Sequence, residues 1–143
     1  MKDIDMAMEL LGKEKLALAI VKDGKLVFSS CERGIKPLYT AVEQLKDELE
    51  GSSVADKVTG KAAAMLCKYA NIKELNTKLI SENAINVFKE TTIIYEYDES
   101  APFIKNRDET GMCPVETLSL KTNSINELLP GIANFLESIK KER

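Results

Sequence analysis

The sequence predicts an α/β domain, a three-layer α/β/α sandwich around a mixed sheet, and three observations carry that expectation. An Asp-Gly pair joins two short apolar runs, strand-like and helix-like segments alternate after it, and the composition suits one globular core. With 143 residues, 44% hydrophobic and 30% charged, the chain falls in the range of a single domain spanning residues 1–143. No repeat, low-complexity tract or linker divides it.

Residues 3–11 pattern as a short amphipathic helix, with Ile4, Met8 and Leu11 on one side. Residues 15–21 and 25–29 are apolar runs joined by Asp23-Gly24. Asp-Gly suits a type I′ turn, whose central residues need positive φ, so a hairpin is expected. Residues 36–50 carry Leu38, Val42, Leu45 and Leu49 on one helical stripe. Pro37 fits the first turn of that helix and Gly51 its end. A short buried strand is expected at 52–55, then an alanine-rich helix at 56–69. Residues 73–80 alternate as a strand, and Ser81 is placed to cap a helix over 82–90. The run 91–97 is rich in β-formers and 98–112 is polar. Pro114 opens a short helix, and Ser124 with Glu127 forms a capping-box pattern for the last one. Pro130 is expected to kink or restart that helix. A hairpin followed by strand–helix alternation implies a mixed sheet covered on both faces.

The net charge of −3 gives no general field for nucleic acid or anionic lipid, but a local basic pocket for a small anion is compatible with it. No run approaches the ~18 apolar residues of a membrane span. Asp3, Asp5 and Glu9 disagree with a signal peptide, so the expected location is the cytoplasm. Cys31, Cys67 and Cys113 are odd in number and widely spaced, which suits reduced thiols better than disulfides. The chain has no histidine. Ser-His and Cys-His nucleophile pairs are therefore ruled out, as are zinc sites that need an imidazole. Acid–base chemistry would fall to Asp, Glu, Lys, Tyr or Cys with shifted pKa values.

Three segments could carry chemistry. In Ala-Asp-Lys-Val-Thr-Gly-Lys, from Ala55 to Lys61, a strand runs into a helix through a polar turn. Free amides and the positive end of the helix dipole make such turns anion sites. Asp56, Lys57, Thr59, Gly60 and Lys61 are the candidate ligand-binding residues there. The bland alternative is that Asp56 caps the helix, Gly60 eases packing and the lysines are solvated. The segment 106–116 carries Arg107, whose guanidinium suits phosphate or carboxylate, and Cys113 before Pro114. Cys113 at a helix N-terminus would have its thiolate favoured, while Asp108 and Glu109 oppose that. Cys31-Glu32-Arg33-Gly34-Ile35-Lys36-Pro37 sets Arg33 and Lys36 at a helix N-terminus, where cations are disfavoured unless an anion or solvent compensates.

With Asp-Gly in the hairpin, Glu-Arg-Gly-Ile-Lys-Pro-Leu, Ala-Asp-Lys-Val-x-Gly-Lys-Ala-Ala-Ala and Asn-Arg-Asp-x-Thr-Gly-Met-Cys-Pro-x-Glu, the chain resembles an uncharacterised family of the cytidine deaminase-like superfamily. The resemblance covers roughly residues 15–120 and implies the three-layer deaminase fold. Working deaminases carry a His-x-Glu or Cys-x-Glu at one helix start and Pro-Cys-x-x-Cys at the next. The matching stretches here, 33–36 and 55–60, offer no such ligands. The expectation is thus a metal-free, cofactor-free protein. Its expected partner is a small anion such as a nucleotide, with neither nucleic acid nor membrane. Two rival readings stay open: an enzyme with Asp56 or Cys113 as catalytic group, and a scaffold acting through its surface, with homo-oligomers in view.

Overall fold

The computed structural model of the protein describes residues 1–106 and 110–141. Helix α1 (Asp3–Lys13) precedes a hairpin of β1 (Leu18–Lys22) and β2 (Lys25–Ser30). Asp23 and Gly24 hold φ of 51° and 76°, as the turn requires. Both of their amide groups donate to the Asp3 carboxylate, at 2.9 Å each, so the first turn of α1 fastens the hairpin. Helix α2 (Lys36–Leu49) starts with Pro37 in its first turn and kinks at Leu45, where φ is −131°. Strand β3 (Ser53–Thr59), helix α3 (Lys61–Ala70), strand β4 (Glu74–Ser81), helix α4 (Glu82–Lys89) and strand β5 (Ile94–Ala101) follow. Helices α5 (Pro114–Leu120) and α6 (Ile125–Lys141) end the described chain.

The sheet order is β2-β1-β3-β4-β5, with β1 antiparallel to both neighbours and β3, β4 and β5 parallel. The fold is therefore α/β with a mixed five-stranded sheet, as the hairpin and the alternation imply. Along β1, Leu18 and Ile20 enter a large core shared with α2, α3, α4, α5 and α6. Ala19 and Val21 enter a small core on the opposite face, closed by Ala7 and Leu11 of α1. One layer thus holds five helices and the other holds α1 alone.

Several boundaries differ from the sequence expectation. The strand expected at 52–55 runs on to Thr59, and the helix expected from 56 begins at Lys61. Pairing decides this: Asp56 lies opposite Leu18 of β1, and Val58 and Thr59 lie opposite Leu79 and Ile80 of β4. Asp56 therefore caps no helix. The last strand is displaced to 94–101, because pairing of Glu99, Ser100 and Ala101 with β4 overrides their polar character. Pro130 neither breaks nor restarts α6, which runs through it. Its missing N–H leaves the Asn126 carbonyl without its i→i−4 partner, a loss of one ladder bond that the helix carries.

Candidate functional site

Because β2 runs parallel to β3, the ends of β2, β3, β4 and β5 share one edge of the sheet with the starts of α2, α3 and α4. Ligands of α/β proteins gather at this kind of edge, where strands end and helices begin. Asp56, Thr59, Gly60, Lys61, Arg33 and Lys36 all come from segments that reach it.

Asp56 and Thr59 meet through a slip in strand alternation. Val54 is fully buried and Asp56 half-buried, but Val58, the next residue expected inward, is 45% exposed. Thr59, at 0%, takes the inward place instead. Strand β4 slips in step: Leu75 and Thr77 are buried, Leu79 is half-exposed and Ile80 is buried. The register across the pair is kept, so two hydroxyls and a carboxyl gather at one point. Thr59 Oγ1 lies 3.1 Å from Asp56 Oδ2 and 2.9 Å from Thr77 Oγ1. Thr77 donates to the Leu79 carbonyl at 3.2 Å.

Part of Asp56 reaches solvent while its carboxyl is desolvated. Burial pushes its pKa up from 3.8 to about 7, against the pull of the Thr59 hydroxyl and the Lys57 and Val58 amides. Cys67 of α3 is near enough to feel it. Burial, and then the Asp56 charge, push the Cys67 thiol well up. Cys67 is accordingly a protonated core residue.

The start of α3 is organised differently. Gly60 is its N-cap residue, with no side chain to close the helix, and the Lys61 amide donates instead to Glu116 Oε1 at 2.9 Å. Glu116 arrives from α5 and is 2% exposed. Its Oε1 also accepts from Ser81 Oγ at 3.2 Å, and its Oε2 accepts from the Ile104 amide. Ser81 in turn caps α4 by accepting from the Ala84 amide at 3.1 Å. One carboxylate thus ties the starts of α3 and α4 to the segment before α5. Gly60 suits this arrangement: a Cβ there would crowd Ile104 at 3.1 Å and Glu116 Oε1 at 3.2 Å. The ammonium of Lys61 is held by the Thr122 carbonyl at 3.1 Å and Asn123 Oδ1 at 2.9 Å. The place the sequence suggests for an external anion at α3 is filled from within.

The other expected residues are scattered. Lys57 is exposed, and strand alternation sets it on the α1 side of the sheet, opposite Asp56. Arg33 is exposed, and Lys36 reaches Glu32 at 3.9 Å across an exposed pair. Helix α2 has no side-chain cap and no acid in its first turn. Cys113 is the N-cap residue of α5, half-exposed, and its amide donates to the Ile104 carbonyl at 2.7 Å. No hydrogen bond joins it to Asp56 among the described residues. Arg107 lies outside the described residues. Among the described residues, no three His, Cys, Asp or Glu side chains cluster as a metal site would need. No helix is long and apolar enough to cross a membrane among them.

Sequence reasoning missed Thr77 and Glu116. Thr77 has no local signal, because its role depends on a cross-strand neighbour. Glu116 sits in the Cys-Pro-x-Glu stretch noted for its motif, but its partners are 12 to 55 residues away in the chain.

A mixed sheet with five helices on one face, one on the other and a carboxyl–hydroxyl cluster at the strand ends defines an α/β protein of a compact type. The chain belongs to the family described as "Domain of unknown function (DUF1893)", whose model matches residues 6–136. It is similar to the crystal structure of a DUF1893 family protein from Thermotoga maritima, at 30% identity and a TM-score of 0.85. That match covers 92% of this chain and 88% of the other. A structure from work on A-to-I editing by tRNA:A34 deaminases also matches, at 16% identity and a TM-score of 0.42, over 83% and 94% of the two chains. No curated protein matches the chain.

Proposed function

We propose that the protein binds a small phosphate-bearing molecule of nucleotide type at the sheet edge between Asp56 and the start of α2. The observation that carries this reading is Asp56: a desolvated carboxyl at the strand ends with a pKa of about 7. Near neutrality both of its protonation states are populated, so it can exchange its contact with Thr59 for a hydrogen bond to or from a polar ring edge. Of the three helix starts at this edge, that of α3 is closed by Glu116 and that of α4 by Ser81. The start of α2 has no side-chain cap and carries Arg33 and Lys36, so an anion is accommodated there at least cost. Gly60 and Lys61 contribute less to this ligand, since both are engaged with internal partners, and Lys57 lies on the α1 side of the sheet.

The test is calorimetry with a nucleoside monophosphate, the parent nucleoside and inorganic phosphate, at pH 6 and pH 8. The expected result is binding of the monophosphate that weakens with salt, and that weakens by up to about tenfold per pH unit above 7 as Asp56 loses its proton. Arg33→Gln is expected to weaken it further. Absence of heat with all three probes at both pH values sinks the reading.

A second reading is favoured by the same pKa, which is what a general acid–base group needs at neutral pH. Turnover of a bound ligand, lost in Asp56→Asn with binding kept, would establish it over simple binding. Cys113, without a base beside it among the described residues, has weaker support as the catalytic group.

A further inference from the structure

The cluster around Asp56 holds three oxygen–oxygen contacts of hydrogen-bond length in series. They join Asp56 to Thr59 at 3.1 Å, Thr59 to Thr77 at 2.9 Å, and Thr77 to the Leu79 carbonyl at 3.2 Å. Each contact needs one proton to be a hydrogen bond. The two threonine hydroxyls supply two. The series ends on a carbonyl oxygen, which only accepts. An ionised Asp56 therefore leaves one contact of the three without a proton, and the two oxygens facing each other there repel. A protonated Asp56 completes it: the carboxyl donates to Thr59, Thr59 to Thr77, and Thr77 to Leu79.

We infer that Thr77 is a positioning residue that competes with the Asp56 carboxylate for the Thr59 hydroxyl proton, so that protonated Asp56, donating along the Thr59–Thr77 chain, is favoured more than it would be without Thr77. Thr77 is the decisive member: it lies beside Asp56 in the β3–β4 pairing, but no hydrogen bond joins the two among the described residues, so its hydroxyl acts through that of Thr59. Thr59 and Thr77 are 0% and 1% exposed, so water does not supply the missing proton. Other charged groups on the packed elements do not account for the effect. Cys67 of α3 keeps its proton. Both Glu116 oxygens of α5 are bound by Lys61, Ser81 and Ile104, and the Lys61 ammonium is turned to Thr122 and Asn123. Lys57 is exposed. Burial raises the Asp56 pKa, while the Thr59 hydroxyl and the Lys57 and Val58 amides oppose it, and the part assigned to Thr77 is to weaken the opposition from Thr59. The inference deepens the binding reading, since it concerns the same carboxyl, yet it needs no ligand to be tested.

The experiment is a carbon-13 NMR titration of the Asp56 carboxyl in the ligand-free full chain, for wild type, Thr77→Val and Thr77→Ser. In Thr77→Val the Thr59 hydroxyl has only Asp56 left to serve and donates to the carboxylate. The Asp56 midpoint is then expected to fall by about one pH unit or more, a tenfold change in proton affinity. Thr77→Ser restores the hydroxyl and is expected to return the midpoint to within a few tenths. A midpoint in Thr77→Val that stays put or rises overturns the inference, because a more apolar neighbour acting by burial alone would raise it. Should Thr77→Val not fold, the wild-type protein suffices. The Thr77 hydroxyl proton is expected to shift with the Asp56 midpoint, and a resonance that ignores that midpoint overturns the inference equally. Failure here leaves ligand binding untouched, and failure of every ligand probe leaves the titration standing.

Discussion

Two carboxyl groups of this molecule stand in different circumstances. Glu116 receives three donors on two oxygens, while Asp56 sits in a series of hydroxyls short by one proton. The difference sets what substitution does to each. Glu116→Ala strands the Lys61 and Ile104 amides and the Ser81 hydroxyl, and is expected to destabilise the fold by on the order of 3 kcal/mol or more in urea denaturation. Glu116→Gln can keep Oε1 for Lys61 and Ser81, but its amide group then faces the Ile104 N–H, so a loss of about 1–2 kcal/mol is expected. For Asp56 the sign runs with pH. Its folded-state pKa is raised to about 7, so the unfolded chain gives up the proton first. Stability is full below pH 4, falls as pH rises toward 7 and levels off above it. Asp56→Asn, which mimics the neutral acid, is expected to flatten that slope and to exceed wild type in stability at pH 8 by about 2 kcal/mol. That figure is reduced from ~1.4 kcal/mol per pH unit because the residue is partly exposed. Urea titrations at pH 5 and pH 8 compare the two.

At the scale of elements, what was legible in the sequence was whatever depends on near neighbours. Asp23-Gly24, the Ser81 cap and the Pro114 start are local chemistry, and each is found where its residues put it, while the α2 stripe holds at Leu38, Val42 and Leu49 and breaks at Leu45, where the helix kinks. The β3–α3 junction departs from the sequence expectation because Asp56, Lys57 and Thr59 have nothing in their own sequence that demands a strand. Pairing with β1 and β4 demands it. The alternation slip that turns Thr59 inward belongs to two strands at once, so no single run reveals it. Gly60 stands where Ile104 and Glu116 come close to its backbone, a neighbourhood its own sequence does not reveal. Its backbone, at φ −93°, suits any residue, so Gly60→Ala is disfavoured by crowding alone. A loss of about 1–3 kcal/mol is expected, with the Lys61 amide exchanging faster as its bond to Glu116 lengthens. Unchanged Lys61 exchange would mean that Glu116 yields to the new methyl without strain.

At the scale of the whole molecule, the order of elements sets an asymmetry that composition does not reveal. Helix α1 covers β1, β3 and β4 on its face, and β5, at the end of the sheet, is left largely bare. Ile94 is 53% exposed and Tyr97 43%, and the outer backbone edge of β5 has no partner strand among the described residues. An eight-residue apolar-bearing edge is a template for another chain, and charge is the usual deterrent. Glu96, Asp98 and Glu99 supply it, only partly offset by the exposed Lys78–Asp98 pair at 3.5 Å. Two β5 strands brought edge to edge would set these acids against one another, which opposes a dimer through this edge. Replacing all three with threonine removes the repulsion and keeps β-propensity. The triple variant is expected to self-associate with rising concentration in light-scattering chromatography, beyond whatever the wild type shows. If its mass instead follows that of the wild type across the concentration range, the edge is guarded by its geometry and not by its charge.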